Sequence, residues 1–308
     1  MTAIAHVIGR AKPAAFWIYL GLITAAELLI AYVSPMAGLL ICLTLVAALV
    51  IHAALAAQPE ERTMALGLLL APLVRLVALG MPLGRWPVLA AYPAVAIPTL
   101  IATILVCRAS GLTAARLGLT SGRPLEQLGI AASGPALGLA SYWLLRPQPL
   151  LGQQATWQQL ALAALLLALS TGAVEELMFR GVIQSSAAPL LDRWAVPFVA
   201  VLFAAMHLGH RSPAMAVLML VVGLLFGLAA QRTGSILGVV LAHGIANVLA
   251  LLALPALSRA PSSAAWTWLL WLAGLGALGA VAAGVAIFRR QATTSQAPEA
   301  LIEREQGA

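Results

Sequence analysis

Apolar residues run along this chain in long blocks separated by short polar stretches, not in two-residue alternation. The blocks fall at about 14–33, 36–57, 64–81, 87–107, 126–145, 157–184, 193–208, 213–231, 235–254 and 265–288. Most approach the roughly 20 residues that a helix needs to cross a bilayer. The pattern predicts an all-α fold, a polytopic transmembrane helix bundle of about 8–10 membrane helices. A membrane barrel would instead show period-two strands. The weakest spans are 64–81, which holds Pro72 and Arg75, and 193–208, which is short.

Composition agrees with lipid as the main solvent. Hydrophobic residues make up 62% of the 308 and charged residues only 9%, against roughly 25% charged in soluble proteins. The formal charge of +7 reads as membrane topology, with no nucleic-acid partner expected. With a cytoplasmic N-terminus and every span crossing, Arg10, Lys12, Arg62, Arg108, Arg116, Arg123, Arg193, Arg232, Arg289, Arg290 and Arg304 fall inside. Arg85, Arg146, Arg211 and Arg259 fall outside, and Arg75 and Arg180 lie within spans. That asymmetry follows the positive-inside rule. Residues 1–13 are basic and lead into a full-length apolar run without a small-residue cleavage site, so an uncleaved first helix is expected. Cys42 and Cys107 sit in apolar helices and read as packing residues. The tail after Phe288 is short and polar and is expected to be unstructured.

Three regions are distinguishable. Residues 1–125 are membrane helices of unassigned role. They end in the polar linker Arg108–Arg123, with Gly111, Gly118 and Gly122. Residues 126–254 hold most of the intramembrane polar chemistry. Residues 255–308 supply a closing helix, whose Trp266, Trp268 and Trp271 resemble an interfacial belt, and a cytoplasmic tail.

Ionisable groups within a span are costly, roughly 2.5–3.5 kcal/mol each at a helix centre, and mark function by default. The segment Ser170-Thr171-Gly172-Ala173-Val174-Glu175-Glu176-Leu177-Met178-Phe179-Arg180 is the strongest case. Glu176 and Arg180 are four apart, share a face and can pair. Glu175 points about 100° away and is left for other work. The alternative is a buried ion pair with a spare glutamate reaching the membrane surface.

Two further groups follow. His207 closes the segment Phe203-Ala204-Ala205-Met206-His207, and His243 and Asn247 share a face of a later span. Taken singly, His207 could be an interfacial residue and the His243/Asn247 pair an interhelical clamp. At about 1.5 Å rise per residue, Glu175 lies roughly 13 Å from the cytoplasmic end of its span, His207 roughly 21 Å, His243 roughly 12 Å and Asn247 roughly 18 Å. All four occupy one band, where three helices can bring them to a single wet pocket. Glu27, His52 and Arg75, in the first spans, are expected to pair with one another or to reach the membrane surface. His210 and Arg211 are expected in a solvated turn, and His6 in the N-terminal tail.

The ordered set Glu175-Glu176-x-x-x-Arg180, Phe203-x-x-x-His207 and His243-x-x-x-Asn247 resembles the CAAX protease and bacteriocin-processing (CPBP, or Abi) membrane endopeptidases, which include the eukaryotic type II CAAX prenyl protease. The resemblance covers about 157–254. It implies a metal-independent glutamic-type endopeptidase in which Glu175 and His207 activate water. His243 and Asn247 would stabilise the oxyanion, and Glu176, Arg180 and Phe203 would support them. No cofactor is implied. The family core is nearer eight helices, so the added N-terminal helices are unexplained.

The residue chemistry is compatible with that role. Hydrolysis needs a base near neutral pH and fixed donors for the developing oxyanion, which an imidazole N–H and an amide NH₂ can be. No G-x-S-x-G or H-E-x-x-H motif occurs, so serine-hydrolase and zincin readings lack their signatures. Three alternatives stay open: a zinc hydrolase on the same two histidines and glutamate, a proton-coupled transporter, and a catalytically silent immunity scaffold. Low Lys content with Ala, Leu and Arg enrichment points to a GC-rich bacterium and its inner membrane, where prenylated substrates are not expected. The expected partner is a membrane-anchored peptide or protein, such as a bacteriocin precursor or a C-terminal sorting tail.

Overall fold

The computed structural model describes residues 13–152, 154–259 and 263–306; Arg10, Lys12 and His6 lie outside them. Helices account for the regular structure, with no strand among the described residues. They are α1 (Pro13–Tyr32), α2 (Pro35–Leu55), α3 (Pro59–Gly80), α4 (Val88–Ala109), α5 (Pro124–Leu145), α6 (157–191), α7 (Ala195–Ala205), α8 (Pro213–Thr233), α9 (Leu237–Ser258) and α10 (Ser263–Gln306). Among the described residues nine helical runs are long and apolar enough to cross a membrane. The protein is a polytopic helical bundle.

Proline and small hydroxyl residues set many boundaries. Pro35, Pro59, Pro124 and Pro213 occupy the first turns of their helices, where the missing N–H costs nothing. Ser34 and Ser212 cap α2 and α8 by accepting from Ala37 N and Met215 N, and Thr156 and Gln159 form a reciprocal capping box on α6. Gly234 closes α8 in the left-handed conformation at φ 63°.

Two expectations are corrected. The span at 193–208 is the 11-residue helix α7, about 16 Å long and too short to cross roughly 30 Å of hydrocarbon by itself. It follows α6 directly, after a break at Asp192 with φ 45°. The tail is not unstructured, because α10 continues past Phe288 to Gln306.

One core links the bundle. Phe16 and Ile23 of α1, Met64 and Leu68 of α3, Phe179 and Ile183 of α6, Phe198 and Phe203 of α7, and Val239 of α9 belong to the same buried cluster. The outer surface is apolar too: Leu40, Leu43 and Ile51 of α2 and Trp268, Trp271 and Leu278 of α10 are exposed, as lipid-facing residues are. Cys42 is buried and Cys107 half-buried, both as free thiols. The 108–123 linker is ordered against the α8–α9 turn. Gly118 O accepts from Ile236 N at 2.9 Å, and Thr120 O accepts from Ser235 Oγ at 2.6 Å. Gly111, Gly118 and Gly122 all take positive φ there, which a side chain would resist.

Candidate active site

Helix α6 crosses α9 at two glycines. A Cβ on Gly172 would lie 2.9 Å from Gly244 N, and one on Gly244 would lie 3.2 Å from Ala168 Cβ. Only bare backbone permits so close an approach. On the other side of α9, positions for a Cβ on Gly134 and Gly138 of α5 fall 2.8 Å from the carbonyls of Ala242 and Ala246. Helix α9 is therefore wedged between α5 and α6, and its polar face is aimed at α6. Within α6 the backbone widens into π-helical turns at Ala168–Ala173 and Leu177–Gln184, on both sides of Glu175 and Glu176. Such turns are rare and recur at functional sites.

Glu176 is fully buried and has two partners. Its Oε1 accepts from Arg180 Nη1 at 3.1 Å, the pairing expected from the four-residue spacing, and from His243 Nδ1 at 2.7 Å. The second bond was not foreseen. Arg180 Nε and Nη2 and Glu176 Oε2 have no hydrogen-bond partner. Aromatic faces offset part of that cost: the guanidinium lies 4.3 Å from the centroid of Phe203 and 5.8 Å from that of Phe226, within cation–π range.

Phe203 is the hub of the cluster. Its ring meets Phe179 edge-on at 5.0 Å, His207 at 4.5 Å and His243 edge-on at 6.2 Å. Its carbonyl is 2.7 Å from His207 Nδ1. A carbonyl only accepts, so Nδ1 carries the proton and Nε2 of the neutral ring is left with a lone pair. Asn247 is fixed in a similar way. Thr171 Oγ1 gives its proton to Leu167 O and accepts from Asn247 Nδ2 at 2.8 Å. The second amide hydrogen of Asn247 stays available.

A cavity of about 320 Å³ opens beside these groups. Glu175 and His207 line it, with Ser170, Thr171, Tyr92, Thr99 and Arg75. His243 and Asn247 are not on that wall; they join it through Glu176 and Thr171. Glu175 also interacts electrostatically with His243, Glu176, Arg180 and Arg75. The predicted set thus forms two connected parts. Glu175 and His207 face the cavity, while Glu176, Arg180, Phe203 and His243 form a packed cluster against it. No three His, Cys, Asp or Glu side chains among the described residues converge in a metal-ligating arrangement.

Sequence reasoning passed over Thr171, whose signal was its position four residues before Glu175, mirroring His243 and Asn247. It also read the N-terminal polar residues too simply. Arg75 pairs with Glu27 as expected, with Nε 2.7 Å from Oε1, but its Nη2 also donates to Met206 O at 2.6 Å. His52 pairs with neither of them; its Nε2 is 2.9 Å from Glu61 Oε1 and its Nδ1 3.2 Å from the Tyr19 hydroxyl. His210 and Arg211 are exposed, as expected.

Residues 157–249 match the family model described as type II CAAX prenyl endopeptidase Rce1-like. The match begins at the first residue of α6 and ends in α9, so it contains every motif residue. No curated protein and no solved structure matches the chain.

Proposed function

We propose that this chain is a CAAX-type membrane protease, which hydrolyses a peptide bond of a membrane-anchored peptide or protein using a water held between Glu175 and His207. The observation that carries the reading is the division of labour between adjacent carboxylates. Glu176 is committed to Arg180 and His243, while Glu175 lines the cavity beside an imidazole whose Nε2 is free to accept a proton.

In this mechanism the water oxygen attacks the peptide carbonyl carbon as its proton passes to Glu175, assisted by His207. The carbonyl oxygen becomes an oxyanion. Asn247, joined to the cavity wall through Thr171, would donate to it with its remaining amide hydrogen once the substrate carbonyl reaches past that wall. With Nδ1 bound to Glu176, His243 can donate from Nε2 only as an imidazolium, with Glu176 as its counter-ion. Collapse of the intermediate breaks the C–N bond, and the proton held by Glu175 passes to the departing amine. No metal is assigned a role. We place the N-terminus on the cytoplasmic side and the substrate's entry along the membrane or from that side.

The test compares membrane proteomes of cells carrying wild-type protein and Glu175→Gln, reading the C-termini of membrane proteins. New C-termini that appear with wild-type protein and vanish in the variant are expected. Identical C-termini, with both proteins inserted at equal levels, would exclude the peptidase reading.

A further inference from the structure

Arg75 belongs to α3, well before the 157–249 segment, yet it lines the same cavity as Glu175 and His207. Its guanidinium is shared between a carboxylate and a main-chain carbonyl on different helices. Arginine and a carboxylate commonly meet with two parallel bonds. Here Nε binds Glu27 Oε1, but Nη2 turns to Met206 O and Glu27 Oε2 is left buried without a partner.

The diverted bond falls at a sensitive place. Helix α7 ends at Ala205, and the last carbonyls of a helix lack partners within it. Met206 O is such a carbonyl, and its peptide group leads directly into His207. The next bond along, His207 Nδ1 to Phe203 O, sets which imidazole nitrogen faces the reaction.

We infer that Arg75, anchored by Glu27, is a positioning residue for His207: it clamps the Met206–His207 peptide and so holds the proton-accepting Nε2 toward Glu175. The inference deepens the proposed mechanism and rests on its use of His207. It also gives the N-terminal helices a part in the site. A lysine could not replace the arginine, because one ammonium cannot present two nitrogens on a rigid plane.

The test uses full-length protein in lipid nanodiscs. The variants are Arg75→Lys and the double variant Glu27→Gln/Arg75→Met, which leaves no lone buried charge. His207 and His243 are labelled with diethyl pyrocarbonate and followed by peptide mass spectrometry. His207 should label several-fold faster in both variants, with His243 unchanged. In parallel, kcat for a cleaved peptide should fall about 10- to 100-fold with KM unaltered, the scale of a small misplacement of a catalytic group. Unchanged labelling of His207 overturns the inference, and so does a parallel rise at both histidines, which would signal general loosening. If wild-type protein cleaves nothing, the proposed function fails, and the labelling still decides whether Arg75 fixes His207.

Discussion

His243 Nδ1 lies 2.7 Å from Glu176 Oε1, although the two residues are 67 positions apart in the chain. One carboxylate oxygen therefore holds both an imidazole from α9 and, at 3.1 Å, the guanidinium of Arg180 from its own helix. Removing either charge strands the rest. Arg180→Met should lower stability by about 3–5 kcal/mol, the usual cost of leaving one member of a buried pair alone. The double variant Glu176→Gln/Arg180→Met should recover most of that loss without recovering cleavage. Unfolding of the purified protein, followed alongside a cleavage assay, checks both statements.

The Gly172–Gly244 crossing makes a sharper prediction about geometry. Gly172→Ala places a methyl 2.9 Å from Gly244 N and 3.2 Å from Val240 O, so α6 and α9 must part. Cleavage should fall about 100-fold, because a displacement near 1 Å is enough. Gly21→Ala is the control: nothing lies within 4 Å of its Cβ position. It should keep full activity and gain up to about 1 kcal/mol from better helix propensity. Equal activity of the two variants would show that the crossing is not critical.

Thr171 should matter through Asn247. Thr171→Val removes the acceptor that holds Asn247 Nδ2 while keeping the side-chain shape. About a tenfold fall in kcat with KM unchanged is expected, with Thr171→Ser close to wild type. Asn247→Ala, which removes the donor itself, should cost about 10²–10³-fold. Single-turnover rates on one peptide rank the four proteins.

Chelation separates the proposed mechanism from a zinc hydrolase. Cleavage should survive exhaustive treatment with a strong chelator, and metal analysis of active protein should give less than stoichiometric zinc. Loss of activity that zinc restores would favour the metal reading.

The chain shows its membrane character and most helix boundaries openly, because long apolar blocks and proline or serine at helix starts are local signals. The Glu176–Arg180 pair is legible for the same reason, since a four-residue spacing fixes a face. The His243–Glu176 bond is not, because it depends on how two helices cross. The crossing is set by glycines whose role appears only when the opposite backbone is in place. The widened turns around Glu175 have no simple sequence signature either. Arg75 is legible as an intramembrane charge that needs a partner, and the Glu27 pair is half its bonding. The other half is a main-chain carbonyl, and carbonyls carry no side-chain identity to read. Helix α7 looked like a short span because composition reports apolarity without length to spare.

The buried cluster that runs from Phe16 to Ala242 sets a lower limit on any working version of this protein. Cutting the protein down to the segment 157–249 would remove Met64, Leu68 and Leu70 from the cluster that also holds Val182, Ile183 and Phe198, and would leave Met206 O without the arginine that donates to it. Grafts and shortened versions should therefore keep α1 through α4, and a library of truncations should lose activity well before its endpoints reach the motif residues.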